Sequence, residues 1–518
     1  MKAFLMFADR DFEPRKSPVP NAEELMQDLE LDTLFLSMAA GDEFLHEAAR
    51  SSVLESLHDL ESIQYRQQIL TDCMSQSNTV RQIYAVAVEA IEREKKVWGW
   101  MSGRYPEGTL HRSIDVLQIF VELLKRLRSI ADLHGTNFHS AGFRRFFAML
   151  QSELNDEYLR TIEEHLERLK FRDGILMSAQ LGPGNKGANY VLCKPSYIAR
   201  TWFERLQNWM SLKANSDHRE YIYEVHERDE AGYRALSELR THGIAHIASA
   251  LAQSTDHILA FFRMLRLEMG FYIGCLNLRD QLLQQQASYC LPVPSPGGQK
   301  TLAARGLYDV CLQLGSNDRV VSNDVDAGNR SLLMITGANR GGKSTFLRSI
   351  GVAQLMMQCG MFVPAESFRA GICSGIFTHF KREEDVTMKS GKLDEELARM
   401  SAIIDRVAPH GMVVLNESFA STNEREGSEI ARQILRALLE MDVRVAYVTH
   451  MFDLAQSFYQ PDDENVLFLR AERLAGGQRT FRLIVGEPLP TSYGEDLYRQ
   501  IFGASPAGTS SASQTPIG

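Results

Sequence analysis

The sequence predicts an α + α/β chain: an all-α N-terminal half with one small β-hairpin, then a domain built on a mixed, largely parallel sheet. Three observations carry this. In the first half, apolar residues recur with a helical period, as in Val80, Ile83, Tyr84, Ala87, Val88 and Ile91, at i, i+3, i+4, i+7, i+8 and i+11. Leu291-Pro292-Val293-Pro294-Ser295-Pro296-Gly297-Gly298 then interrupts the helices with Pro and Gly. Beyond it, short β-type segments alternate with helical ones, the pattern of a parallel sheet covered by helices. The expected division is 1–290 for the helical region, 291–304 for a linker, 305–502 for the sheet domain and 503–518 for a disordered tail.

Taken in order, the text is helical from about Pro20 to Glu94, with Glu92-Arg93-Glu94-Lys95-Lys96 as a solvated end. Trp98-Gly99-Trp100 and Arg104-Tyr105-Pro106-Glu107-Gly108 break that pattern. A second helix is expected through Ile114, Leu117, Phe120, Val121, Leu124 and Leu127, and a third over about Ser152 to Leu169. Ile175 to Ala179 and Asn189 to Leu192, around the turn Gly182 to Gly187, predict a β-hairpin. Those glycines are not a phosphate loop, because no helix N-terminus follows them. Helices resume from about Tyr197 to Gln286, where Phe261, Phe262, Leu265, Phe271, Tyr272 and Leu276 mark a buried segment. Past the Pro-rich stretch the β-type segments are Val310 to Leu314, Arg319 to Val321, Leu332 to Ile335, Met412 to Leu415 and Arg444 to Val448. From Gly503 onward the chain carries no charge and is rich in Ser, Ala, Gly, Pro and Thr.

Composition narrows the class of protein. No apolar run approaches the roughly 18 residues of a membrane span, and the apolar part of the N-terminus is too short for a secretory signal. Seven scattered cysteines without paired spacing point to a reducing cytoplasm. The net charge of −10 argues against a strong, sequence-independent grip on nucleic acid, although a local basic channel is compatible with it.

The chemistry centres on Gly337-Ala338-Asn339-Arg340-Gly341-Gly342-Lys343-Ser344-Thr345, set between the apolar run Leu332 to Ile335 and a helical pattern from Phe346. Strand, Gly-x4-Gly-Lys-Ser and helix, in that order, make a phosphate-binding loop. Glycine lets the backbone curl so that successive N–H groups face phosphate oxygens, and the helix adds the positive end of its dipole. Lys343 is expected to reach the β and γ phosphates, and the Ser344 hydroxyl to serve Mg2+. The buried strand Met412 to Leu415 ends in Asn416-Glu417, where nucleotide hydrolases place acids that hold the metal or orient water. Glu417 is a candidate general base, while Asn416 can hydrogen-bond a metal-bound water but brings no charge. Ser421-Thr422-Asn423-Glu424-Arg425-Glu426-Gly427 leads into a helix, and Arg444 to Val448 delivers Thr449 and His450 to the same sheet edge. There His450 is expected to contact the γ-phosphate or the water.

Four blocks resemble one family. Thr336 to Ser344, Phe362-Val363-Pro364-Ala365-Glu366, the Glu417 strand with Ser421-Thr422, and Thr449-His450 look like the MutS mismatch-repair ATPase domain, over about Gly306 to Phe502. The helical half resembles the MutS core and lever helices through Leu31 to Phe35, Asp42 to Leu45 and Tyr65-Arg66-Gln67. The resemblance implies an ABC-type ATPase domain that forms a homodimer, shares its sites, and couples nucleotide state through lever helices to DNA. It implies ATP and Mg2+ as ligands. Gly337 to Thr345 would hold the phosphates, Ser344 and Asn416 would serve Mg2+, Glu417 would polarise water, His450 would sense the γ-phosphate, and Asn323 would lie at the base end. The implied partner is mismatched, damaged or branched DNA.

Departures from the family pattern are specific. No mismatch-reading domain is expected ahead of the helices, and Phe12-Glu13-Pro14 lacks the spacing of the family's Phe-x-Glu wedge. The stretch between the helical blocks is short for long clamp arms. Lys389-Ser390-Gly391-Lys392-Leu393-Asp394 fits the trans-acting signature poorly, with Ser390 the only hydroxyl close by. Two other readings stay open: an ATPase with a non-DNA partner such as a ribosome or protein complex, and a nucleotide-gated dimerisation module in which Asn416 has cost turnover.

Overall fold

Local signals set the first helices. A computed structural model describes residues 1–14, 21–97, 106–171, 177–181, 183, 187–192, 230–316, 318–382, 391–460, 463–474 and 479–489. The N-terminal half begins with α1 (Ala22–Asp28), α2 (Leu31–Ala39), α3 (Glu43–Leu54), α4 (Leu60–Ser75) and α5 (Ser77–Lys96). Asp42 caps α3 by accepting the N–H groups of Phe44 and Leu45, and Asp59 caps α4 by accepting that of Ser62. In α5 the stripe of Val80, Ile83, Ala87 and Ile91 is buried, as its period requires. Next come α6 (Pro106–His134), α7 (Ala141–Glu153), α8 (Asp156–Leu169), the antiparallel hairpin β1 (Met177–Leu181) and β2 (Gly187–Leu192), and α9 (Glu230–Gln284). The Trp98 to Trp100 break, the expected helix before Glu230 and the tail from Gly503 lie outside the described residues. Among those described, no helix is long and apolar enough to cross a membrane.

The chain divides into two compact units, 1–3 with 82–136 and 145–266, and 4–81 with 137–144 and 267–518. The first is helical with the hairpin. Leu110, Ile114, Leu117, Phe120, Leu124 and Leu127 of α6 are buried in it, with the Phe120 and Phe262 rings 5.4 Å apart. In the second unit, residues 4–12 form a strap anchored by the buried side chains of Leu5, Met6, Phe7 and Phe12. Glu268 accepts the N–H groups of Leu5 (2.6 Å) and Phe12 (3.1 Å). Phe12 is therefore a core residue, packed near Phe7 and covered from solvent.

The rest of the second unit is α/β. Its strands are β3 (Val293–Ser295), β4 (Leu302–Leu307), β5 (Asn323–Gly328), β6 (Leu332–Thr336), β7 (Ser367–Gly371), β8 (Ile376–Phe380), β9 (Met412–Asn416), β10 (Arg444–Val448), β11 (Val466–Arg473) and β12 (Arg479–Val485). Its helices are α10 (Val310–Gly315), α11 (Lys343–Gln358), α12 (Lys392–Ile404), α13 (Glu424–Glu440) and α14 (Phe452–Phe458). The main sheet has the order β12-β11-β6-β10-β9-β8, with every neighbouring pair parallel except β12 with β11. A second sheet has the order β3-β7-β4-β5. Leu332, Met334, Val413, Leu415, Val445 and Tyr447 meet Ala431, Leu435 and Leu438 of α13 in the core.

Three segments differ from expectation. Val310 to Leu314, expected as a strand, is helix α10, because Asp309 accepts the Leu312 N–H (3.1 Å) and starts a turn. Arg319 to Val321 lies outside any strand, and the chain enters β5 only at Asn323. Within the expected linker, Val293 to Ser295 pairs in parallel with β7. Pro294 is tolerated there because β3 is an edge strand, where a missing N–H breaks no inner ladder.

Candidate functional site

The site is built at the C-terminal ends of three adjacent strands. β10 lies between β6 and β9, and its Val448 pairs with Ile335 on one side and Asn416 on the other. The next residues of each strand therefore emerge side by side: Gly337 to Thr345 after β6, Glu417 after β9, and Thr449 and His450 after β10. This is the edge at which parallel sheets receive ligands.

After Thr336 the backbone turns at Gly337 (φ 110°), passes through Arg340 (φ 57°), and enters α11 from Gly342 (φ 88°). Gly342 caps α11 without a side-chain hydrogen bond, so the first amides of that helix have no local side-chain acceptor. The glycines answer a second demand. A Cβ on Gly337 would lie 2.9 Å from the Ala471 nitrogen, and one on Gly341 would lie 2.8 Å from the Ala471 Cβ and 2.9 Å from the Ala338 oxygen. Strand β11 thus presses on the back of the loop.

Lys343 is buried, and its Nζ donates to the carbonyls of Gly337 (2.9 Å) and Ala338 (3.0 Å). Burial pushes its pKa down, the Glu417 charge pulls it up, and Arg479 adds to the depression. Ser344 Oγ donates to Asn416 Oδ1 (2.9 Å), so the hydroxyl and the amide expected on the metal side are in contact. Glu417 has a left-handed backbone (φ 52°), and its N–H donates to the Val448 carbonyl (2.8 Å). Its Oε1 lies 3.9 Å from His450 Nδ1. Asn339 and Arg340 are exposed, Ala338 is buried and Thr345 is half-buried.

Asn323 is engaged elsewhere. Its Nδ2 donates to the Phe481 carbonyl (3.2 Å), and its Oδ1 accepts the Leu483 N–H (2.7 Å), so the amide clamps β12 to β5. It still lines a cavity of about 450 Å³ beside the loop, with Tyr308, Arg319, Arg340, Thr345 and Phe481. Ser390 lies outside the described residues. Among those described, no three His, Cys, Asp or Glu side chains cluster to hold a metal.

Residues that the sequence did not single out support the Glu417 turn. Glu396 of α12 accepts the Phe419 N–H (2.7 Å) and the Ser421 hydroxyl (2.5 Å). His379 of β8 lies 3.0 Å from the Glu396 carbonyl through Nε2 and 2.7 Å from Ser418 Oγ through Nδ1. Tyr447 donates its hydroxyl to the Ser418 carbonyl (2.7 Å). In the sequence Glu396 stands in Asp394-Glu395-Glu396, which reads as an ordinary solvated helix start.

Comparison with known proteins gives two family models in tandem. The MutS2 N-terminal domain matches residues 58–285, and MutS domain V matches residues 333–497. The endonuclease MutS2 of Lactiplantibacillus plantarum is 31% identical over 173 residues, covering 33% of this chain and 22% of its own. The DNA mismatch repair protein MutS of Chlorobaculum tepidum is 31% identical over 171 residues, covering 32% and 19%. The DNA mismatch repair protein msh3 of Aspergillus fumigatus is 29% identical over 191 residues, covering 35% and 17%. The chain thus spans about a fifth of the length of these relatives. Matched in both its helical part and its sheet domain, this chain is similar to MutS proteins.

Proposed function

We propose that this protein binds ATP with Mg2+, hydrolyses it, and couples nucleotide state to its helical part in the service of DNA repair. The observation that best supports this is the arrival of a partnered lysine, a hydroxyl–amide pair and a carboxylate–imidazole pair on three neighbouring strand ends. Lys343 would exchange its two carbonyl partners for β and γ phosphate oxygens, beside the positive end of α11. Ser344 and Asn416 are neutral oxygen donors. They fit Mg2+, which takes few protein ligands and keeps phosphate oxygens and waters. When bound, the ion would neutralise charge on the β and γ oxygens. Glu417 would accept a proton as water attacks the γ-phosphorus, while the bond to the β–γ bridging oxygen breaks and leaves ADP. His450 would hold Glu417 in place and contact the γ-phosphate. The cavity next to Arg340 and Thr345 would receive the base end.

We further propose a homodimer through the sheet domain, a cytoplasmic setting, and DNA of irregular structure as partner. The names of the relatives, two of them mismatch repair proteins, support the DNA assignment. The six described cysteines are free, five of them buried, which suits a reducing compartment. Asn416 favours one rival, a nucleotide-gated module with little turnover, because an amide stands where an acid would bring charge to the metal.

The test is steady-state ATP hydrolysis and ATP binding by wild type, Lys343→Ala and Glu417→Ala. We expect Lys343→Ala to lose binding, and Glu417→Ala to bind ATP while turnover falls by about 10²-fold or more. A wild type no faster than Glu417→Ala would leave only the gated module. Binding to duplex, mismatched, branched and single-stranded DNA across salt concentrations tests the partner. No binding at low salt in any nucleotide state would remove DNA.

A further inference from the structure

The turn that carries Glu417 is not held by its own sequence. Glu417 (φ 52°) and Phe419 (φ 64°) are both left-handed, a conformation costly for residues with a Cβ and persistent only where the surroundings impose it. The surroundings here are specific. Ser418 is fully buried between them, its carbonyl fixed by Tyr447 and its hydroxyl by His379. The Phe419 N–H and the Ser421 hydroxyl both end on one carboxylate, that of Glu396, which is itself buried. The same residue's backbone carbonyl lies against His379 Nε2, and the His379 ring stacks on Phe419 with centroids 5.5 Å apart. Glu396 therefore meets the turn through its side chain directly, and through its main chain by way of His379.

From this we infer that Glu396 is a positioning residue for Glu417, fixing the 417–421 turn so that the carboxylate of Glu417 faces the attacking water. The inference rests on the ATPase reading above. Glu396 touches neither nucleotide nor water; it acts through the backbone at Phe419 and the hydroxyl of Ser421. Its position in the second turn of α12 ties the aim of Glu417 to that helix, which Arg399 also fastens to β8 by donating to the Phe380 carbonyl (3.1 Å).

Chemistry separates positioning from bulk stability. In Glu396→Gln an amide oxygen still accepts the Phe419 N–H, and the amide NH2 donates to Ser421 Oγ. In Glu396→Ala both bonds are lost, and in Ser421→Ala one is lost. The experiment measures kcat for ATP hydrolysis alongside stoichiometric ATP binding, which counts folded sites, on the full-length variants. We expect Glu396→Ala to lose about 10²-fold in kcat with ATP affinity within about 3-fold of wild type, as displacements near 1 Å do. Glu396→Gln should recover to within about 3-fold of wild type, and Ser421→Ala should fall between. Should Glu396→Ala not fold, the Gln and Ser421→Ala variants decide: a Gln variant as slow as Glu417→Ala, or a Ser421→Ala variant equal to wild type, overturns the inference. Unchanged kcat in Glu396→Ala overturns it as well, leaving the ATPase reading intact. A wild type that binds ATP without turnover overturns both.

Discussion

Acid pulls on the Glu417 turn without replacing a residue, because His379 is built into it as a neutral base. Burial pushes the His379 imidazole down from 6.5 to about 4, and the nearby Arg399 charge adds to this. The sign follows from which state takes the proton first. As pH falls below 6.5 the unfolded chain protonates while the folded one does not, so stability is lost between 6.5 and about 4 and is fully present above that window. Over the whole window this amounts to about 3 kcal/mol, most of it spent by pH ~4.5. The assay is urea unfolding of wild type and His379→Gln, near pH 7 and near pH 4.5, followed by fluorescence. Other groups titrate in both proteins, so the quantity of interest is the difference between their pH dependences. Wild type should lose about 2–3 kcal/mol more than the variant on acidification. Parallel curves would mean that the imidazole titrates normally in the folded protein, and the buried bridge to Ser418 and Glu396 would be refuted.

Two further perturbations test the loop and its helix. Gly341→Ala places a methyl 2.8 Å from the Ala471 Cβ, so the loop must shift; ATP affinity should fall about tenfold or more, and titration showing wild-type affinity would count against the close approach of β11. Arg348 of α11 pairs with the buried Asp309, whose carboxyl burial pushes up while Arg348 draws it down. Arg348→Ala strands that carboxyl and should cost about 3–5 kcal/mol in urea unfolding, and a loss below about 1 kcal/mol would show the pair to be solvated.

What was legible in the sequence was local and contiguous. The 337–345 loop, the Asn416-Glu417 strand end and Thr449-His450 are each written in a few adjacent residues. Adjacent parallel strands then bring them together without further information. Val310 to Leu314 was misread because five residues rich in apolar side chains cannot distinguish strand from helix by period. The capping Asp309 was the available clue. Pro and Gly at 291–298 marked missing donors and turns, but not the pairing of β3 with a strand more than seventy residues later. Glu396, His379 and the clamp made by Asn323 depend on partners 17 to 160 residues away, and no spacing rule reaches them.

The lysine of the loop is stored in a paired form, and this sets a threshold on what the loop can accept. Its ammonium is out of solvent yet shielded by two peptide dipoles, Gly337 and Ala338, so an incoming ligand competes with those carbonyls before it gains anything. A singly charged anion offers little more than the dipoles it would displace. A polyphosphate, with several charged oxygens at the same spot, offers far more. On the proposed ATP-binding role, discrimination against small anions would follow from the resting contacts of one side chain.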